Sequence, residues 1–561
     1  LPQGLAGTVV LTQALLDAEL GVPLWAVTRG AVAAGPQDRI GSPTQALVWG
    51  FGRVAGLEHP RLWGGLIDLP ETVDDHAIAE LAGVLASSGE NEVAVRAKAV
   101  LARRLVRATM PEQEPAHWRP SGTVLVTGGT GGLGAEMARW LADRGAEHLV
   151  LASRSGADAA GAEHLVEELA AKGVSVSVMA CDVTDRAAVV ELLASVPAER
   201  PLTALVHAAA SLDGGPIADM TPAEFGDIMA AKVLGAAHLD ELLDHDSIQT
   251  VLLFGSISAT WGVGNQSAYA AANAYLDALA RERHDRGGHT VSVAWGPWEA
   301  GMLTHDTEMA NSLRRGGLPL LPVDSGLATL DRILAEDEPC PVVARIEWAR
   351  FHPRFTSLRP SPLLADLPEV RALSTAESPI SATRGAALIE KLTALPEEDR
   401  EPAVLDLICS HVAVVLGYDS AEQVDRKRAF KDVGFDSLIA VQLRNRLNAA
   451  TGLRLPVTLV FDYPNPTSLA SFLRSEVATS VPSPTDAALA EFDRLEASLS
   501  SIPSEDTEVR DVLVSRAREL LSRLSGTAPA ANAEGDVATL TAASDDELFS
   551  FINTQLGRQD E

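Results

Sequence analysis

Thr123-Val124-Leu125-Val126-Thr127-Gly128-Gly129-Thr130-Gly131-Gly132-Leu133-Gly134 runs from a short apolar strand into a glycine turn, and Ala135 to Arg144 continues it at helical spacing. Strand, glycine turn and helix in that order is the wiring of a dinucleotide-binding half-sheet. Gly128, Gly132 and Gly134 permit the tight turn, the close approach of backbone to a pyrophosphate and close helix packing, while the helix N-terminus aims free N–H groups at the anion. Thr127, Thr130, Gly131 and Leu133 complete the expected cradle. The next strand, His148 to Ala152, ends in Ser153-Arg154 and not in an acid able to grip a ribose 2′-hydroxyl. A guanidinium there pairs with a 2′-phosphate, which favours NADPH over NADH; a surface salt bridge is the other use of such an arginine. Val174 to Ala180 and Ala204 to His207 extend the sheet, and Asp182 and Val183, following Cys181, fall beside the adenine.

The whole chain, 561 residues, is long enough for three to four domains with real cores. A net charge of -31 argues against a nucleic-acid or anionic-membrane partner. Cys181, Cys340 and Cys409 lack ligand spacing, so neither a disulfide framework nor a metal site is indicated, which suits a reducing cytoplasm. No uninterrupted apolar run reaches bilayer length and no signal peptide opens the chain. Beginning on Leu1 and not Met suggests a piece of a longer polypeptide.

Before the glycine turn, residues 1–108 alternate helical and strand periods: a helix over Leu11 to Leu20, a strand over Leu24 to Thr28, a helix over Thr44 to Val54, a strand over Trp63 to Leu69 and a strand pair within Val93 to Val106. No glycine-rich turn joins strand to helix here, so a structural half-domain without cofactor is expected. Residues 109–121, carrying three prolines, read as a connector.

Within residues 122–355, four side chains carry the chemistry: Lys232 on a helix around Phe225 to Leu243, Ser256 just after a strand over Val251 to Phe254, then Tyr269 and Asn273 one helical turn apart. Hydride delivery to a ketone builds negative charge on its oxygen, which a proton donor and a hydrogen-bond donor must meet. Tyr269 is the natural acid, Lys232 the nearby ammonium that stabilises its phenolate, and Ser256 the group that orients the carbonyl; Asn273 would hold Lys232 or a relay water.

With those residues placed, residues 1 to about 353 resemble the ketoreductase of a modular type I polyketide synthase, an extended short-chain dehydrogenase. Generic short-chain dehydrogenases carry lysine four residues after the tyrosine; here that position is Asn273 and the lysine is Lys232, the exchange characteristic of polyketide ketoreductases. Ala268-Tyr269-Ala270-Ala271-Ala272-Asn273 and Trp295-Gly296-Pro297-Trp298 add to the likeness, and the resemblance implies a substrate lid over about Gly301 to Leu318. All four catalytic positions are filled, so a reducing domain is expected. The family's marker for L-hydroxyl (A-type) products, a tryptophan eight before the tyrosine, is matched by Trp261. Its D-hydroxyl (B-type) marker, Leu-Asp-Asp, is broken: Leu212 and Asp213 are present, but Gly214 stands in the last place. The resemblance thus leans to A-type. His207-Ala208-Ala209-Ala210 departs from the usual ending in glycine.

Residues 356–382, rich in Pro and Ser, read as a mobile, semi-extended tether. In residues 383–478, apolar stripes over Ala403 to Leu416, Asp436 to Thr451 and Pro466 to Leu473 predict a small all-α four-helix bundle. Gly434-Phe435-Asp436-Ser437-Leu438 puts a hydroxyl and an acid at a helix start, where an ordinary capping serine is also expected. The longer Asp432 to Leu438 resembles the motif of an acyl carrier protein, which implies Ser437 as the attachment serine for 4′-phosphopantetheine, installed by a phosphopantetheinyl transferase. Residues 479–561 hold three amphipathic helical candidates, Ala487 to Leu499, Val509 to Leu524 and Asp545 to Leu556. They either fold back on the carrier or, as their resemblance to C-terminal docking regions implies, dimerise the chain and bind the next synthase subunit. That resemblance also implies a chain end with no thioesterase following, and a ketosynthase and acyltransferase as the rest of the module.

The fold expected is therefore α/β, two Rossmann-like halves, followed by the carrier bundle and a helical tail. Two other readings compete: a carrier and scaffold fragment that binds cofactor without reducing, and a short-chain dehydrogenase with an unrelated helical tail.

Overall fold

The computed structural model describes residues 1–479 except 36–37, 87–88, 109–116, 302–306, 337, 357–358, 378–391, 393–394, 417, 419, 434, 436, 454 and 457–458. The docking helices expected beyond residue 479 lie outside the described residues. The structural half comprises α1 (Gln3–Asp17), β1 (Leu24–Arg29), α2 (Ala46–Glu58), β2 (Trp63–Leu69), α3 (Asp75–Ala86), β3 (Glu92–Arg96) and β4 (Ala99–Ala102). Its sheet runs β1-β2-β3-β4, parallel except for the final β3–β4 hairpin. All seven residues of β2 are buried, and the one carboxylate among them, Asp68, is satisfied by Thr28 Oγ1 at 2.7 Å and Arg96 Nη2 at 2.8 Å. Helix α1 begins eight residues before the expected Leu11, because Leu5, Val9 and Thr12 form its buried stripe.

The catalytic half is a seven-stranded parallel sheet ordered β11-β10-β9-β8-β5-β6-β7. Its strands are β5 (Thr123–Thr127), β6 (His148–Ser153), β7 (Ser175–Ala180), β8 (Leu202–His207), β9 (Thr250–Ser256), β10 (Thr290–Trp295) and β11 (Val342–Val343). Helices α4 (Gly132–Asp143), α5 (Ala162–Ala171), α6 (Arg186–Ala194), α7 (Pro222–Leu242), α8 (Ile257–Trp261) and α9 (Ser267–Asp285) make the crossovers. Further on come α10 (Thr307–Arg315), α11 (Val323–Ala328), α12 (Leu330–Ala335), α13 (Trp348–Phe355) and α14 (Pro368–Glu377). Strand order reverses between β5 and β8, so a crevice opens at their carboxyl ends, where such sheets take their ligands.

The two halves share one core. The alanine-rich face of α9, with Ala268, Ala270, Ala271 and Ala272 all buried, lies so close to α2 that a side chain at Gly50 would overlap the Ala270 carbonyl. Phe51 from α2 and Phe225 from α7, both fully buried with ring centroids 6.0 Å apart, fill the space beside it. Each such phenyl contributes about 1.5–3 kcal/mol of burial energy.

The expected tether is only partly one. Leu363, Leu364 and Leu367, together with Val370 on α14, are buried with Trp261 and Phe351. Four apolar residues within eight positions find a hydrophobic wall, so the first part of 356–382 packs where solvent exposure was expected; residues 378–382 are outside the described residues. The carrier consists of helices Glu397–Leu416, Ser437–Thr451, Leu459–Asp462 and Pro466–Thr479 around Ile408, Val412, Phe430, Leu443, Leu447 and Leu469. Leu459–Asp462 is a short helix between two longer ones. Among the described residues no helix is long and apolar enough to cross a membrane.

Candidate active site

The glycine turn closes β5 onto α4. Gly128 adopts φ +70°, the left-handed region that favours glycine, and any side chain at Gly134 would overlap the Gly128 carbonyl. The N-cap Gly131 offers no side-chain oxygen, and no acidic residue stands in the first turn of α4. Its first N–H groups are thus left for an anion. Gly131 and Gly132 are exposed, Leu133 packs partly into the core beneath, and Thr130 Oγ1 donates to Ser153 Oγ at 2.7 Å, tying the turn to the end of β6. Arg154 is exposed. This cradle fits a dinucleotide phosphate.

Thr127 and His207, at the ends of β5 and β8, share a hydrogen bond of 2.7 Å across the switch point, both fully buried. Burial, with Lys232 nearby, pushes the His207 imidazole down to about 3, so it sits there neutral. Val183 is buried beyond β7; Asp182 is exposed and its Oδ1 accepts from the Thr184 N–H and hydroxyl at 2.9 and 2.8 Å. Those hydrogen bonds hold its carboxyl below the usual range.

Lys232, 2% exposed, projects from α7, donates to the Phe254 carbonyl and places Nζ 5.5 Å from the centroid of the Tyr269 ring. Burial lowers its pKa to about 7, Asp277 opposing. Ser256 ends β9 and caps α8, accepting the Ser258 N–H at 3.2 Å. Tyr269 is partly exposed on α9; burial raises its pKa, and hydrogen bonding from Asn273 and Ser256 draws it back. Asn273, fully buried one turn on, donates Nδ2 to the Tyr269 carbonyl at 2.7 Å and leaves Oδ1 without a protein partner. That orphaned acceptor suits an ammonium or a water.

All four residues therefore converge near the carboxyl ends of β8 and β9. The Lys232 ammonium reaches over the Tyr269 ring and donates to a strand carbonyl, a less direct contact with the phenol than the sequence suggested. Asp277, which the sequence did not single out, follows Tyr269 and Asn273 at the same four-residue interval on α9, accepts from Ser292 Oγ at 2.6 Å, is pushed up to about 6 by burial, and its charge acts on Lys232. The i, i+4, i+8 spacing was its only signal in the sequence.

Trp261 closes α8, 3% exposed, its ring 5.3 Å from Phe351. Leu212 is half-buried and Asp213 exposed, its Oδ2 taken by Ser211 Oγ at 2.6 Å. A side chain at Gly214 would overlap the Asn265 carbonyl. The expected lid holds α10, with 302–306 outside the described residues. In the carrier, Phe435 packs on Phe430 at 4.7 Å and Ser437 opens its helix; Gly434 and Asp436 lie outside the described residues.

Known proteins agree with this layout. The KR domain family matches residues 122–300, the Polyketide synthase extender module SpnB, Rossmann fold domain, matches 4–105, and the Phosphopantetheine attachment site matches 406–473. Polyketide synthase GfsA of Streptomyces halstedii is 47% identical over 479 residues, 85% of this chain and 6% of that protein. Pikromycin polyketide synthase component PikAIII of Streptomyces venezuelae is 45% identical over 489 residues, 85% of this chain and 31% of that protein. The solved structure of an A1-type ketoreductase is 49% identical, with a TM-score of 0.64, covering 66% of this chain and 79% of that one. The chain thus spans a third or less of either of these two synthases.

Proposed function

This chain belongs to the modular polyketide synthases, as a ketoreductase followed by an acyl carrier domain, and from that premise we propose that it reduces a carrier-bound β-ketoacyl thioester to the L-β-hydroxyacyl (A-type) thioester. The observation that carries the reading is the convergence of Tyr269, Ser256, Lys232 and Asn273 beside a glycine turn shaped for a dinucleotide. Bound NADPH would supply the hydride that the β-carbon takes up. Ser256 hydrogen-bonds the ketone oxygen and turns it towards Tyr269, whose phenol gives up its proton as the C–O double bond becomes a C–O single bond. The Lys232 ammonium stabilises the phenolate left behind, and Asn273 Oδ1 accepts from Lys232 or from a water that returns the proton. Arg154 would hold the 2′-phosphate, and Asp182 and Val183 would lie on the adenine side.

The A-type assignment draws support from Trp261, from the loss of the second marker aspartate at Gly214, and from the likeness to an A1-type structure. Ser437 carries 4′-phosphopantetheine once a phosphopantetheinyl transferase has acted. The arm keeps the thioester at high effective concentration near the reductase and spares it diffusion. The chain works in the cytoplasm beside a ketosynthase and an acyltransferase, as a homodimer, and hands its product to a downstream subunit through residues 479–561. The test is NADPH consumption with a soluble β-keto thioester, followed by chiral analysis of the product. Tyr269→Phe should abolish turnover while NADPH still binds; consumption that persists in the variant, or a D-hydroxyl product from the parent, refutes the corresponding part.

A further inference from the structure

Helix α8 carries Ser256 as its N-cap and Trp261 as its last residue, so one five-residue helix links a residue of the proposed chemistry to the one that matches the A-type marker. So short a helix leaves its last carbonyls without intrahelical partners. Ser258 O accepts the Gly262 N–H at 3.1 Å. The next two carbonyls are met from the other half of the fold. Arg53 on α2 donates Nη1 to Ala259 O, and Arg103, directly after β4, donates Nη1 to Thr260 O at 2.6 Å. One carboxylate holds both guanidiniums: Glu92 Oε2 accepts from Arg53 Nε at 3.0 Å and from Arg103 Nη1 at 3.3 Å. Burial alone would raise the Glu92 carboxyl, yet the two arginines keep it below its ordinary range. Glu58, at the end of α2, accepts the Ile217 N–H at 2.9 Å and the Asn265 N–H at 2.7 Å, which fastens the segment after Gly214 to the one that leads into α9.

We propose that Arg53, Glu92 and Arg103 form a clamp by which the structural half positions α8, and through it Ser256 and Trp261, against the substrate, making this half a determinant of stereochemical outcome. The three are positioning residues and touch no reacting atom. Two cations at a helix C-terminus oppose its negative end, and their hydrogen bonds are charge-assisted, so the clamp is stiff. Beside it a cavity of about 130 Å³, lined in part by Arg53, Glu92, Trp261 and Phe355, gives the end of α8 room to move once a guanidinium is removed.

The inference rests on the ketoreductase reading. The full chain is assayed as Arg53→Gln, Arg103→Gln and Arg103→Lys, measuring NADPH affinity by calorimetry, kcat and KM with a β-keto thioester, and the ratio of hydroxyl isomers. The glutamine variants should bind NADPH within about threefold of the parent, lose about tenfold in kcat with a smaller change in KM, and make more of the minor isomer, since misplacement of about 1 Å near the chemistry can cost far more than binding does. Arg103→Lys, which keeps the charge but not the planar fork, should fall between them and the parent, and it decides by the same criteria if the glutamine variants do not fold. An unchanged isomer ratio, with kcat lost only in proportion to NADPH-competent protein, overturns the clamp and leaves the arginines as struts. If the parent itself consumes no NADPH, the ketoreductase reading fails instead.

Discussion

Lys232→Met should make the protein more stable and nearly inactive at once. A lysine held at about 7 against an ordinary 10.5 costs the fold about 4 kcal/mol at neutral pH. Methionine of similar length removes that cost but orphans the Phe254 carbonyl, which takes back roughly 1–3 kcal/mol. The net gain is on the order of 1–3 kcal/mol, which for a domain of this size raises the melting temperature by roughly 2–10 °C. Turnover should fall by about 10²–10⁴, the usual worth of a group assisting proton transfer. The sign can be checked with pH: between about 7 and 10.5 the unfolded chain holds a proton that the folded chain has released, so stability of the parent rises with pH across that window, and the rise should vanish in the variant. Reduction by the parent should fall as pH climbs through about 7, because the ammonium is lost. Thermal melts from pH 6 to 10 and NADPH consumption, both on the full chain, test this. A lower melting temperature with activity retained would show that the lysine is a structural strut, and the argument would be wrong.

Gly134→Ala forces a methyl group into the Gly128 carbonyl; overpacking of about 1–3 kcal/mol should weaken NADPH binding on the order of 10- to 100-fold by calorimetry, with the melting temperature of the carrier unchanged. Ser437→Ala should gain no mass on treatment with a phosphopantetheinyl transferase and coenzyme A, yet still reduce a soluble β-keto thioester at the parent rate. Gly214→Asp, which would complete the B-type marker, should lower kcat without switching the product, because a side chain there overlaps the Asn265 carbonyl; a D-hydroxyl product at undiminished rate would defeat that expectation.

Local pattern carried much of this protein into view. The strand from Thr123, the glycines to Gly134, the four-residue step from Tyr269 to Asn273 and the run into Ser437 are short-range signals, since turns, helix faces and caps are decided by residues a few positions apart. Where a boundary slipped, a buried stripe had begun earlier than its most conspicuous residues, as in α1, or a proline-rich stretch had found a wall to pack on, as at Leu363 to Val370. What periodicity could not carry is the use of distant residues. Arg53 meets the carbonyl of a residue 206 positions away, and Arg103 one 157 positions away. Such pairs leave no spacing in the chain, and an arginine in a strand or helix reads as solvated surface until a partner covers it. The sequence by itself determined the wiring around the glycine turn and pointed to the side chains proposed for the chemistry. Only the tertiary structure decided that Lys232 is dry enough to titrate near neutrality, that the buried Asp277 bears on its charge, and that the half lacking a glycine turn grips the helix bearing Ser256 and Trp261, because burial and long-range contact are properties of the packed chain.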